Sequence, residues 1–459
     1  MSLDMGRVAA AALLVAAYAA LCAGIWLRER RRAAQARTEA AALAEARTGA
    51  VPLLVGYASQ TGHAEEIAHE TARLLHAAGE PVRLAALDDI DAALLALTQR
   101  ALFIASTYGE GDAPDNAAAF WCRCQAGAAL LPHLRYGLLA LGDRQYAHFC
   151  GFGRALDAWL HGAGATPLFA RIDMDNANAG ALQAWRHQLS QFASLTELPD
   201  WQAPTFAAWT LVARRQLNPG SVGAPVVHLE LEPPAPTVWE PGDLAEIRVP
   251  ADPEHPREYS IASIARDGRV HLLVRATTRS DGTPGLASGW LANTQDKGLE
   301  IGGAVQMRLR AHPAFRLEGN AAAPIVFIGN GTGLAGLRSH LRARAAAGTG
   351  PNWLVFGERN AAHDFLYGDE LRGWLASGVL ERLDVAFSRD QPQRIHVQDR
   401  LAEAADALRD WVERRGAALY VCGSLQGMAQ GVDAALRAAL GDAQVTALAR
   451  SGRYRRDVY

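Results

Sequence analysis

The most informative run of side chains is Arg257-Glu258-Tyr259-Ser260-Ile261-Ala262-Ser263. An arginine offers a fixed cationic fork for phosphate, a tyrosine offers a flat ring, and small hydroxyls let a planar ligand approach the backbone. Alone the pattern is weak, because tyrosine and serine beside a strand more often serve packing and turns. Other stretches carry matching chemistry. Ser59-Gln60-Thr61-Gly62-His63-Ala64 follows a short apolar run and precedes a helical pattern. Hydroxyls and a glycine at a helix N-terminus make a phosphate cradle, since free N–H groups and the helix dipole both favour an anion. The lysine of G-x-x-x-x-G-K-[ST] is missing, which argues against nucleoside triphosphate hydrolysis. Gly285-Leu286-Ala287-Ser288 opens a second such cradle, and Gly331-Thr332-Gly333, followed by Arg338, forms a third.

The elements that must position these groups are legible as short apolar runs. Residues 51–58, 101–105 and 137–141 read as buried parallel strands. Their carboxyl ends lead into Ser59–Ala64, into Ser106-Thr107-Tyr108-Gly109-Glu110-Gly111, and into Gly142 through Tyr146 and Phe149. Open α/β sheets bind ligands at that end. Residues 226–231, 242–249, 258–264 and 270–275 alternate enough to be barrel strands, separated by Pro/Gly turns. A third set, 324–328, 353–359, 385–390 and 420–424, again ends in polar loops. Ser388, Arg389, Arg394 and Gln398 follow one of these strands. A hydroxyl with two guanidiniums suits a 2′-phosphate, so NADPH is favoured over NADH; a surface ion cluster is the bland alternative.

Length and composition bound the reading. A chain of 459 residues exceeds one ordinary core, and 50% hydrophobic with 20% charged residues is globular. The net charge of −3 does not point to nucleic acid, but the charge is unevenly spread. Residues 51–200 hold 9 Arg against 16 Asp+Glu, whereas 201–459 are near neutral. The acidic module is either a solvated face or a docking surface for a positively rimmed partner. Five cysteines form no C-x-x-C pair, which fits a reducing compartment, and no metal site is expected. Residues 8–27 are uncharged and alanine-rich, with Arg28, Arg30, Arg31 and Arg32 after them. They are expected to form a single transmembrane anchor with the bulk of the chain cytoplasmic, in a bacterial inner membrane.

The motifs S-Q-T-G-x-A-E, S-T-Y-G-E-G-D-x-P-D-N and L-G-D-x-x-Y-x-H-F-C-x-x-G together resemble the FMN domain of the diflavin reductases. R-x-Y-S, the G-x-x-S helix start, G-x-G-T-G-x-A, Y-V-C-G and the R-Y-x-x-D-V-Y ending extend that resemblance from residue 51 to Tyr459. It implies FMN held by Ser59, Gln60, Thr61, Gly62, His63 and Ala64. Ser106, Thr107, Gly109, Gly111, Gly142 and Phe149 complete that site, with Tyr108 and Tyr146 flanking the ring and Asp175 near its edge. It implies FAD at Arg257, Tyr259, Ser260, Gly285, Ala287 and Ser288, covered by Tyr459. NADPH falls to Gly331, Thr332, Gly333, Arg338, Ser388, Arg389, Arg394 and Gln398. Ser260, Cys422, Asp457 and Tyr459 are the expected catalytic set for the hydride step.

Four departures stand out. His63 replaces the usual Thr or Asn, Gly336 replaces a proline, His396 replaces the tyrosine of the family's K-x-Y-V-Q run, and only residues 244–256 separate P-G-D from R-x-Y-S, where the family inserts a helical connecting region. The expected fold is therefore a multidomain α/β and β-barrel chain. It comprises an anchor (8–27), a tether (28–50), a flavodoxin-like doubly wound domain (51–195), a linker (196–203), a ferredoxin-reductase-type FAD barrel (204–318) and an α/β NADP-binding domain (319–459). The expected activity is electron transfer from NADPH through FAD and FMN to a one-electron acceptor, first a haem protein at or near the membrane. The flavoprotein of assimilatory sulfite reductase is the alternative. A tethered flavin-binding interaction module without turnover is a reading of another class.

Overall fold

A computed structural model describes residues 52–127, 130–144, 146–176, 178–192, 204–279, 281–294 and 298–459, with only the backbone of Gln426. The expected anchor (8–27), tether (28–50) and linker (196–203) lie outside the described residues. No helix among the described residues is long and apolar enough to cross a membrane.

The first sheet contains β1 (Leu53–Ala58), β2 (Val82–Ala86), β3 (Arg100–Ser106), β4 (Arg135–Gly142), β5 (Thr166–Pro167) and β6 (Ile172–Asp175). Its order is β2-β1-β3-β4-β5, with β6 also pairing β4, and every pairing is parallel. That is the flavodoxin-like doubly wound order. A parallel sheet is covered on both faces, so successive residues of one strand enter different cores. Leu53 and Val55 pack with Ile67 and Trp185, whereas Leu54 packs with Phe103, Phe120 and Phe152.

The second sheet is antiparallel. It contains β7 (Ala207–Gln216), β8 (Val226–Glu232), β9 (Leu244–Val249), β10 (Asp252–Ser260), β11 (Val270–Arg275) and β12 (Ala304–Arg310), in the order β10-β9-β12-β7-β8-β11. A bridge between Ile261 and Leu272 joins the two ends, so the sheet closes on itself. Leu211, Leu229, Ile247, Leu272 and Val305 fill the interior. Strand β10 pairs with β9 from Val249↔Asp252 onward, with a bulge before Arg257. A direct hairpin thus occupies the place where the family carries its connecting region.

The third sheet is parallel, in the order β15-β14-β13-β16-β17. Its strands are β13 (Ile325–Asn330), β14 (Asn352–Glu358), β15 (Arg382–Phe387), β16 (Ala418–Gly423) and β17 (Tyr454–Val458). Among the boundaries that differ from the sequence reading, β10 stops at Ser260 and β15 at Phe387, which leaves Ser388 and Arg389 in the following loop. At β10 the chain passes on to the Ile261–Leu272 bridge, and beyond β15 only the Ser388 and Arg389 N–H groups still donate to the carbonyls of Glu358 and Arg359.

Candidate functional site

The barrel and the third sheet enclose a cleft of about 920 Å³, at the upper end of what small-ligand sites require. The end of β10, the loop after β13 and the C-terminal strand β17 meet there. Register explains the meeting. Strand β17 runs parallel to β16 with Cys422 opposite Asp457, and Ser260 ends β10 on the facing barrel. The Ser260 hydroxyl donates to Asp457 Oδ2 at 2.7 Å, and Cys422 Sγ lies 3.5 Å from the same oxygen. All three residues are buried. Burial, and then the Asp457 charge, push the Cys422 thiol well above its ordinary range, so it stays protonated at neutral pH. Tyr459 lines the cleft mouth half-exposed; its hydroxyl donates to Thr332 Oγ1 at 3.2 Å, and its N–H donates to the Gly423 carbonyl.

Of the residues read from the sequence, Arg257, Tyr259, Ser260, Gly285, Ala287, Ser288, Gly331, Thr332, Ser388, Gln398, Asp457 and Tyr459 line this cleft. Ser288 Oγ accepts the Thr277 N–H at 3.1 Å. Gly333 is a packing requirement, since a Cβ there would collide with the Cys422 carbonyl. Gly336, in place of the family's proline, approaches the same residue's side chain: a Cβ would lie 3.3 Å from Cys422 Sγ.

Arg338 is not brought into the cleft. Its guanidinium is buried, paired to Glu370 at 2.6 and 3.0 Å, and bonded to the Ala262 carbonyl at 2.8 Å. A strand-to-helix arginine was read as a phosphate ligand, whereas its carboxylate partner lies far away in sequence. Arg389 and Arg394 are exposed and do not line the cleft. Arg275, Arg279 and Arg359 do line it and were missed; His396, in the place of the family's tyrosine, lines it too. Arg275 ends β11 and Arg359 directly follows β14, which is the signal that could have found them. Four arginines with the serine and glycine loops make a donor set that fits the phosphates of a dinucleotide.

The second cradle lies in the first domain. Gly62 adopts φ 94 and caps the helix His63–Ala77, where no side chain bonds to the first turn. Its N–H donates to Ser59 Oγ at 2.9 Å, and the Ser59 N–H donates to Asn116 Oδ1. Ser106 Oγ donates to the Ala58 carbonyl, which leaves Thr107 Oγ1, Tyr108 Oη and His63 Nε2 as buried atoms without partners. Unsatisfied donors around a helix N-terminus fit a phosphate-bearing ligand. Gly109 (φ 56) and Gly111 (φ 128) turn the second loop, and Gly142 packs on the Cys150 backbone. Asp175 Oδ1 accepts the Arg144 N–H at 3.1 Å, Arg144 lies over the Phe149 ring at 5.0 Å, and Tyr146 is half-buried.

This domain is seated against the other two. Thr61 reaches the cleft, Gln60 bonds Asp115 and the Arg456 carbonyl, and His312 Nε2 bonds the Gln60 carbonyl at 3.0 Å. Asp115 forms an ion pair with Arg456, whose guanidinium lies 5.2 Å above the Tyr108 ring.

Comparison with known proteins agrees with this architecture. Residues 55–187 match the flavodoxin family and residues 327–434 the oxidoreductase NAD-binding domain family. The sulfite reductase (NADPH) flavoprotein alpha-component of Vibrio cholerae is 29% identical over 541 positions, covering 89% of this chain and 87% of the relative. That of Neisseria meningitidis serogroup C is 29% identical over 540 positions, covering 88% of each. The chain belongs to the diflavin reductase family. This diflavin reductase is an NADPH-dependent flavoprotein oxidoreductase whose cofactors are FMN, FAD and NADPH. An alignment of 541 positions exceeds the 459 residues present, so the relatives carry segments that this diflavin reductase lacks, as the β9–β10 hairpin also shows.

The expected single-pass placement in a membrane is corrected. The relatives that align over most of the chain are sulfite reductase flavoprotein components, and no described helix can span a bilayer. The uncharged stretch that prompted the expectation lies outside the described residues.

Proposed function

We propose that this diflavin reductase delivers electrons from NADPH to a haem-protein partner that reduces sulfite. The acceptor reading moves from a general haem protein to this alternative because the relatives bear the sulfite reductase name. The word "alpha-component" in that name is consistent with a separate acceptor component. The acidic first domain supports docking to a positively rimmed acceptor.

The observation that carries the enzymatic half is the Ser260–Asp457–Cys422 cluster beneath Tyr459. When bound, the nicotinamide and the two flavins supply hydride transfer and the division of an electron pair into single electrons. The chain's own residues orient and protect. Arg257, Arg275 and Arg359 offer charge for phosphates. Asp457 fixes the Ser260 hydroxyl and would stabilise positive charge at the cleft floor, while Cys422 holds its proton on sulfur. Tyr459 closes the cleft and has to swing aside before a nicotinamide ring can enter.

The test mixes the purified holoprotein with the haem component of a sulfite reductase and follows NADPH oxidation with and without sulfite. Sulfite-dependent oxidation, absent when either protein is omitted, is expected. Rapid reduction of cytochrome c with no sulfite-dependent turnover would sink the sulfite reading and return the acceptor to another haem protein.

A further inference from the structure

The outer face of the barrel carries a cluster that the electron path does not use. On β8 the alternation sends Val227, Leu229 and Leu231 inward to the barrel core, and His228 and Glu230 outward. On the neighbouring β11, Val270 and Leu272 point inward, while His271 points outward directly opposite Glu230. The two imidazole rings stand edge to face at 4.8 Å. One nitrogen or oxygen from each of His228, Glu230 and His271 lies within 4.8 Å of the others, and His228 Nε2 is 3.5 Å from Glu230 Oε1. Two imidazoles and one carboxylate converging on a point are a transition-metal donor set that leaves a fourth position open.

The surroundings hold these groups as supporting contacts hold metal ligands. Tyr367 Oη bonds His228 Nδ1 at 2.6 Å, which turns Nε2 toward the cluster. Arg269 bonds Glu230 Oε2 at 2.9 Å, which leaves Oε1 facing His228. Such outer contacts fix the tautomer and direction of ligating atoms. Only His271 has no such anchor: its Nδ1 is buried and without a partner. A buried nitrogen without a partner is costly, and a bound cation would relieve that cost. Arginines nearby do not forbid the ion. Arg269, Arg338 and Arg342 are matched by Glu230, Glu370 and Asp267, each within ion-pair distance.

We propose that His228, Glu230 and His271 bind one divalent transition-metal ion, zinc by preference, in the seam between the barrel and the nucleotide-binding domain. Tyr367 belongs to the nucleotide-binding side, at the start of the helix Gly368–Ala376. The ion therefore acts as a clasp between the two halves that form the cleft, and it takes no part in electron transfer. The inference is independent of which protein accepts the electrons.

The test uses the flavin-loaded protein after chelator treatment, with Zn²⁺ alone and Co²⁺ alone as probes. One equivalent of Zn²⁺ per chain is expected by calorimetry, together with the intense visible bands of four-coordinate Co²⁺. His271→Ala should weaken binding at least 100-fold, and Tyr367→Phe by about 10–100-fold as a lost supporting contact. Unchanged FAD content in both variants shows that the fold persists, and Glu230→Gln serves if His271→Ala does not fold. Absence of stoichiometric binding would overturn the proposal, as would binding that survives both His271→Ala and Glu230→Gln.

Discussion

One carboxylate oxygen of Asp457 faces both the Ser260 hydroxyl and the Cys422 thiol, so three residues from three strands behave as a unit. Tyr459, two positions on, reports on access to that unit. Replacing Tyr459 with Ala should relax the preference for NADPH over NADH by about tenfold, or about 1.4 kcal/mol. The ratio of kcat/KM values for the two nucleotides measures it, and an unchanged ratio would count against Tyr459 as the cover. The members of the unit were readable because each sits in a recognisable run: R-x-Y-S, Y-V-C-G and D-V-Y. Arg275 and Arg359 were passed over, since a place at or just after a strand end is a weaker signal than a recognisable run. Arg338 misled for the converse reason, because its partner Glu370 is brought near only by the packing of two helices.

Strand β17 does two jobs by alternation. Asp457 turns toward Ser260, while Arg456 pairs with Asp115 of the flavodoxin-like domain and covers the Tyr108 ring. Arg456→Ala should loosen the seat of that domain. Amide exchange at 60–62 and 108–115 is expected to rise about tenfold, on the order of 1.4 kcal/mol, with exchange in β3 unchanged. Equal protection in the variant would mean that the Gln60–His312 bond and the Arg308–Glu66 ion pair, at 3.1 Å, hold the seam without it. Most strands were visible as apolar runs, and the shortened link between β9 and β10 was visible as a missing segment. The docking was not, because Asp115–Arg456 and His312–Gln60 join residues hundreds of positions apart.

At the scale of the molecule, buried bases make stability depend on pH. His340 is fully buried among Phe315, Phe327 and Tyr420, and burial lowers its pKa to about 3. Between its unfolded value near 6.5 and about 3, the unfolded chain binds a proton that the folded chain refuses. This group's share of stability is therefore lost as pH falls below 6.5, by about 1.4 kcal/mol per pH unit. Urea midpoints across pH 4–7 should show a shallower acid loss for His340→Phe than for the parent; parallel curves would refute the assignment. Under the proposed electron path, the packing of Tyr108 beneath Arg456 would also limit throughput. The surface around Tyr108 can face its own chain or an outside acceptor, but not both at once. Past a certain concentration, additional acceptor stops helping, and turnover settles at a duty cycle fixed by how often the two halves part and reclose.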